Sequence, residues 1–139
     1  MSAVVVLDNA ALAALAGRDG LGKETVRAAL TAALRLQRRA VVPAVVLAEM
    51  YRGRNQSQVV DACLSRDTGL QIRDTDRSFA RLVGGVLTGA GAGSEHMVDA
   101  HVVSAAVEAG GGVCLTGDPK DLGIMSAPFA NITVIDIGS

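Results

Sequence analysis

AVVVL at residues 3–7, closed by Asp8, decides the fold. Three consecutive β-branched residues in a wholly apolar run do not make the alternating pattern of a half-exposed strand. They read as a short strand covered on both faces, as inside a parallel sheet. Working outward, Ala10–Ala16 reads as a short helix. Lys23–Arg39 reads as an amphipathic helix with Val26, Ala29, Leu30, Ala33, Leu34 and Gln37 along one side. Ala40–Val42 is a brief strand. Pro43 suits the first turn of a helix running to about Arg52, with Gly53 as its stop. Gln56–Ser65 is a further helix, Leu70–Arg73 a strand, and Thr75–Leu87 a helix with Asp76 in its first turn. The glycine-rich stretch Gly84–Ser94 (GGVLTGAGAGS) is expected to be a loop or a frayed helix end. His96–Ala109 is a helix ended by Gly110–Gly112, and Val113–Thr116 and Ile132–Ile137 are strands. Strands alternating with helices imply an α/β class, with a central, mostly parallel sheet flanked by helices on both faces.

The 139 residues leave room for one domain, spanning 1–139. Half are hydrophobic, so a core forms without covalent staples. Cys63 and Cys114 each sit in an apolar run and read as buried thiols in a reducing cytoplasm. The start lacks a basic segment and Asp8 interrupts its apolar run, so no secretory leader is expected. No stretch approaches the ~20 apolar residues that span a bilayer. Tyr51, Phe79 and Phe129 are the only aromatics, which argues against base stacking on an aromatic platform. The net charge of −1 hides an asymmetry: residues 1–66 carry nine Lys/Arg against five Asp/Glu, and residues 67–139 four against nine. The basic half suits a phosphate backbone or simply solvated helix faces. The glycines at 89–93 lack the Lys-Ser/Thr ending of a phosphate loop.

In open parallel sheets, ligands bind beyond the carboxyl ends of the strands. Asp8 follows the first strand and Asp118 follows Val113–Thr116, so parallel strands carry both to one rim. Each also reads as a helix N-cap. On His96–Ala109 at ~100° per residue, Asp99 shares a face with Val102, Val103 and Ala106, while His101, Ser104 and Glu108 lie opposite. The same projection sets Glu49 beside Val45 and Val46. An acid in an apolar stripe needs a partner, because an unpaired buried carboxylate costs several kcal/mol or takes up a proton. Arg52 offers Glu49 an ion pair; Asp99 has only His96 nearby. Both histidines read as structural or exposed. Acids gathered at one rim call for hard, oxygen-seeking cations, Mg²⁺ or Mn²⁺. Such ions in pairs ~4 Å apart support phosphodiester hydrolysis without a catalytic histidine.

Four stretches carry a family resemblance. Val6–Leu12 (VLDNAAL) is a strand ending in Asp before a short helix. Val45–Met50 (VVLAEM) holds the second acid. Val98–Ala106 (VDAHVVSAA) has Asp-Ala before small apolar residues. Leu115–Leu122 (LTGDPKDL) matches Thr-x-Asp-x-x-Asp-Leu. In this order and at these intervals the chain resembles the PIN-domain family. In size and layout it resembles VapC-type ribonuclease toxins of type II (VapBC) toxin–antitoxin systems. The resemblance implies a metal-dependent endoribonuclease cutting single-stranded or structured RNA, with tRNA or ribosomal RNA as typical targets. It implies a catalytic, metal-binding pocket of Asp8, Glu49, Asp99 and Asp118. Asp121 is an additional metal ligand or a helix N-terminal charge, and Thr116 supports a carboxylate by hydrogen bonding. The implied partners are a VapB-like antitoxin and a second copy of the chain. One departure is Ala10, where many relatives carry a hydroxyl two places after the first acid; the amide of Asn9 is the substitute. For RNA contact the expected residues are Arg18, Lys23, Arg52, Arg54 and Lys120. Two other functions compete: a degenerate, non-catalytic PIN module that binds RNA or a protein, and a phosphatase-like protein with Asp8 as phosphoryl acceptor. The latter leaves Glu49 and Asp99 unexplained and lacks a second Asp at position 10.

Overall fold

The computed structural model describes residues 3–17, 20–52, 54–65 and 69–138, without the side chains of 54 and 55. Five strands form one sheet: β1 (Val4–Leu7), β2 (Arg39–Pro43), β3 (Leu70–Arg73), β4 (Gly112–Thr116) and β5 (Ile132–Asp136). Their order is β3-β2-β1-β4-β5 and every pair is parallel. β1 is central and buried along its whole length, as its unbroken apolar run requires.

Seven helices connect the strands: α1 (Asn9–Ala16), α2 (Leu21–Arg35), α3 (Ala44–Met50), α4 (Arg54–Ser65), α5 (Arg77–Gly89), α6 (Met97–Glu108) and α7 (Pro119–Ser126). α1 packs with α2, α3 and α4, whereas α6 packs with α5 and α7; β1 touches both α2 and α6. The helices therefore cover both faces of a parallel α/β sheet. Aspartates cap three of them. Asp8, Asp76 and Asp118 accept hydrogen bonds from the backbone N–H groups of Ala11, Phe79 and Asp121, which have no partner inside their own helices. Cys63 and Cys114 are buried within the apolar core.

The structure corrects several expectations. α5 runs to Gly89, two residues past the expected end at Leu87, so the first half of the stretch given as a loop or a frayed helix end is regular helix. Phe79, Val83 and Val86 bury one face of it, and that packing outweighs poor glycine propensity. α2 ends at Arg35, four residues early. Gln37 takes a left-handed conformation at φ 54°, which turns the chain into β2. Leu34, placed on the core side, is 76% exposed. α6 is not two-faced: His101 and Ser104 are as buried as Val102 and Val103, because α5, α7 and the sheet enclose the helix. His101 Nδ1 lies 2.7 Å from the Met97 carbonyl oxygen and its ring meets Phe79 edge-on, a structural role.

Candidate metal centre

The strand order fixes where a ligand can enter. From β1 the chain moves outward through β2 to β3, then crosses back to place β4 on the other side of β1. The crevice of such a sheet opens at this reversal, beyond the carboxyl ends of β1 and β4. Leu7 pairs with Leu115, so the next residues, Asp8 and Thr116, lie side by side. Thr116 Oγ1 donates to Asp8 Oδ2, and the Gly117 amide donates to the same oxygen at 3.3 Å. Oδ1 accepts from the Ala11 amide at 2.8 Å. Asp8 is thus both a helix cap and a rim carboxylate. Burial raises its pKa from the ordinary value, and the hydrogen bonds from Thr116, Ala11 and Gly117 offset this only in part.

A cleft of about 410 Å³ opens at this point, and Asp8, Glu49, Glu95, Asp99 and Asp118 all line it. Asn9 Nδ2 donates to Glu49 Oε2 at 3.0 Å, tying the start of α1 to the end of α3. Among the described residues no ion pair joins Arg52 to Glu49, so Asn9 takes the place proposed for the arginine. Asp99 stands in the first turn of α6, where the positive helix end favours an anion. Burial nevertheless raises its pKa. The His96 imidazole lowers it, and the carboxylates of Asp121, Asp118 and Asp8 raise it further. Asp99 thus lies within electrostatic reach of the other three aspartates. The Asp118 amide donates to Thr116 Oγ1 at 2.8 Å, so one hydroxyl links Asp8 to the start of α7.

Asp121, on α7, does not line the cleft but lies beside Asp99, which does. His96, Asp99 and Asp121 each offer a ligand atom, all within 4.8 Å of one another. Sequence reasoning set His96 aside and passed over Glu95, which follow a glycine-rich stretch that carries no periodicity. The i, i+3 spacing of His96 and Asp99 across the start of a helix was the available signal. A cleft lined by carboxylates, with the His96–Asp99–Asp121 group adjoining it through Asp99, fits a divalent cation, since its donors are mainly hard oxygens.

The expected RNA contacts are less concentrated. Arg18 and the side chain of Arg54 lie outside the described residues. Lys23 Nζ donates to the Gly17 carbonyl at 2.8 Å. Arg52 and Lys120 are exposed, and neither they nor Lys23 line the cleft. Among the described residues no helix is long and apolar enough to cross a membrane.

No protein-family model matches the chain, and no curated protein matches it significantly. Among solved structures it is similar to a chain of VapBC2 from Rickettsia felis, crystallised bound to a DNA fragment from their promoter. The two share 14% identity over 96% of this chain and 98% of that chain, with a TM-score of 0.62. At that identity the likeness establishes the fold.

Proposed function

We propose that the protein is a Mg²⁺- or Mn²⁺-dependent endoribonuclease that acts in the cytoplasm as the toxin of a VapBC-type pair. In this reading residues 1–139 form a single PIN domain. One observation carries the proposal: Asp8, Glu49, Asp99 and Asp118, from four separate stretches of sequence, line one cleft at the reversal point of a parallel sheet. Nothing in packing calls for that convergence, because clustered carboxylates repel one another. The fold shared with a VapBC2 chain adds an antitoxin as the natural partner.

Asp8, Glu49, Asp99 and Asp118 would hold the cation, with Asp121 beside Asp99. A bound divalent ion supplies Lewis-acid polarisation of the phosphate and a lowered pKa for water. Thr116 keeps Asp8 in one rotamer, and Asn9 does the same for Glu49. Residues held this way need little reorganisation when charge develops at the phosphate. Without cations the same acids repel an RNA backbone, so substrate binding and hydrolysis depend on metal together. RNA contacts would fall to Arg18, Lys23, Arg52, Arg54 and Lys120, and a second copy of the chain would complete a homodimer.

The test is cleavage of total RNA by purified, antitoxin-free protein in Mg²⁺, in Mn²⁺ and in EDTA, beside Asp8→Asn and Asp99→Asn. Discrete fragments that need metal and vanish in both folded variants are expected, and their ends identify the target RNA. Undiminished cleavage by folded Asp99→Asn overturns the proposal. No cleavage by folded wild-type protein in either metal, with RNA still bound, establishes the degenerate binding module instead, and Ala10 is then the residue to restore to Ser.

A further inference from the structure

His96 stands beside Asp99, the acid of the cleft that it shares with Asp121. Its Nδ1 lies 3.6 Å from Asp99 Oδ2 and its Nε2 lies 3.9 Å from Glu95 Oε1. Both separations are too long for a hydrogen bond. The Nδ1–Asp99 separation matches two ligands of one ion, since donors each about 2.1 Å from a shared cation stand roughly 3–4 Å apart; the Glu95 contact, on the opposite ring nitrogen, is separate. Asp121 arrives from a different element, α7, to complete a group of three donors within 4.8 Å. The ring is about a quarter exposed and stands at the N-cap position of α6, yet it makes no capping hydrogen bond. The ring therefore caps no helix amide, and its polar partners are carboxylates at ion-pair distance, Asp99 and Glu95. An imidazole also differs in kind from the acids around it. Carboxylates and water suit Mg²⁺ and Mn²⁺ alike, whereas an aromatic nitrogen favours first-row transition ions over Mg²⁺.

We propose that His96 is a direct ligand of the catalytic ion, beside Asp99 and Asp121, and that this nitrogen makes the site select a first-row transition ion over Mg²⁺. The inference rests on the metal-dependent nuclease reading and deepens it, by naming the donor that sets metal preference. His101, the other histidine, is buried against Phe79 and the Met97 carbonyl, and so cannot supply the same nitrogen.

The experiment uses tag-free protein and Mn²⁺, whose electron spin reports its ligands. Pulsed electron paramagnetic resonance of bound Mn²⁺ is expected to show nitrogen coupling. That coupling changes in protein labelled with ¹⁵N-histidine and disappears in His96→Gln. Free Mn²⁺ measured by continuous-wave resonance, with Mg²⁺ as competitor, gives the preference. Loss of an outer partner of a metal ligand lowers affinity by about 10- to 100-fold, and loss of a ligand lowers it no less. His96→Gln should therefore weaken Mn²⁺ by about tenfold or more, with Mg²⁺ changed several-fold less. Bound Mn²⁺ without histidine-nitrogen coupling in the wild type overturns the inference, and so does coupling that persists in His96→Gln. The labelled wild type answers the question even where the variant fails to fold. These outcomes are separate from RNA cleavage: RNA cut in Mg²⁺ by protein without nitrogen coupling retains the nuclease and removes His96, while coupling without cleavage does the reverse.

Discussion

Asp8 resolves a choice that residue type alone leaves open. An aspartate between a strand and a helix reads as a cap or as a rim acid, and here its two oxygens do separate work. Oδ1 caps α1 and Oδ2 meets Thr116 and Gly117 beside the cleft. Thr116→Val removes the hydroxyl that also receives the Asp118 amide. We expect it to weaken Mn²⁺ binding by about 10- to 100-fold while the fold survives, measured by calorimetric titration beside circular dichroism. Unchanged affinity would remove Thr116 from the site. Gly117 is a second point of tension. A Cβ there would stand 2.6 Å from the Ala10 Cβ. Gly117→Ala should cost about 1–3 kcal/mol by overpacking, and Ala10→Gly in the same chain should recover most of the loss in urea unfolding. The four acids were legible in the sequence because each sits at a strand end or in an apolar stripe. His96 is legible only as a neighbour of Asp99, and Glu95 not at all, since neither interrupts a pattern; the fold sets Glu95 in the cleft and brings Asp121 of α7 beside His96.

At the scale of elements, local pattern identified every strand and most helices, and it failed where tertiary contact overrode it. β1 was readable because both faces are buried and no alternation is needed. α6 misled the helical projection, because a helix enclosed by α5, α7 and the sheet has no polar side to find. α7 went unread beyond the cap and Pro119 that begin it. α5 runs to Gly89, two residues past the end at Leu87 that the pattern suggests. Gly84 and Gly85 lie exposed within that helix, with nothing within 4 Å of a Cβ added at either. Alanine in a helix interior is favoured over glycine by about 0.8–1.0 kcal/mol, so Gly84→Ala and Gly85→Ala should each stabilise by up to about 1 kcal/mol. Denaturant midpoints should rise with unchanged slope, and RNA cleavage should be unaffected. A fall in midpoint at both positions would mean that α5 does not form through its glycines.

For the whole molecule, the fold stores electrostatic repulsion at one end and should release it in a pH-dependent way. Burial holds the pKa of Asp8 above the ordinary carboxylate value, and burial with neighbouring acids does the same for Asp99. Below the ordinary value, about 4, both carboxyls are protonated whether the chain is folded or not. As pH rises past it, the unfolded chain releases these protons first while the folded chain still holds them. The unfolded state then gains, and stability falls until pH has passed the raised folded values. Asp76 has the opposite sign. The Phe79 amide and Arg73 lower its pKa, so its contribution is lost only as pH drops below the ordinary range. Above about pH 4 the cleft acids therefore set the slope. Metal-free protein in EDTA should lose melting temperature as pH rises from that point toward neutrality. Asp8→Asn should reduce that loss and melt higher than wild type at neutral pH, despite abolishing cleavage. A divalent ion binds only the ionised acids, so saturating Mn²⁺ should stabilise wild type increasingly as pH rises. It should stabilise Asp8→Asn far less. Differential scanning calorimetry at a series of pH values, with and without Mn²⁺, checks all of this. A wild type that melts higher at pH 7 than at pH 5 in EDTA, and no higher with Mn²⁺, would show that the convergent acids are neither strained nor a cation site.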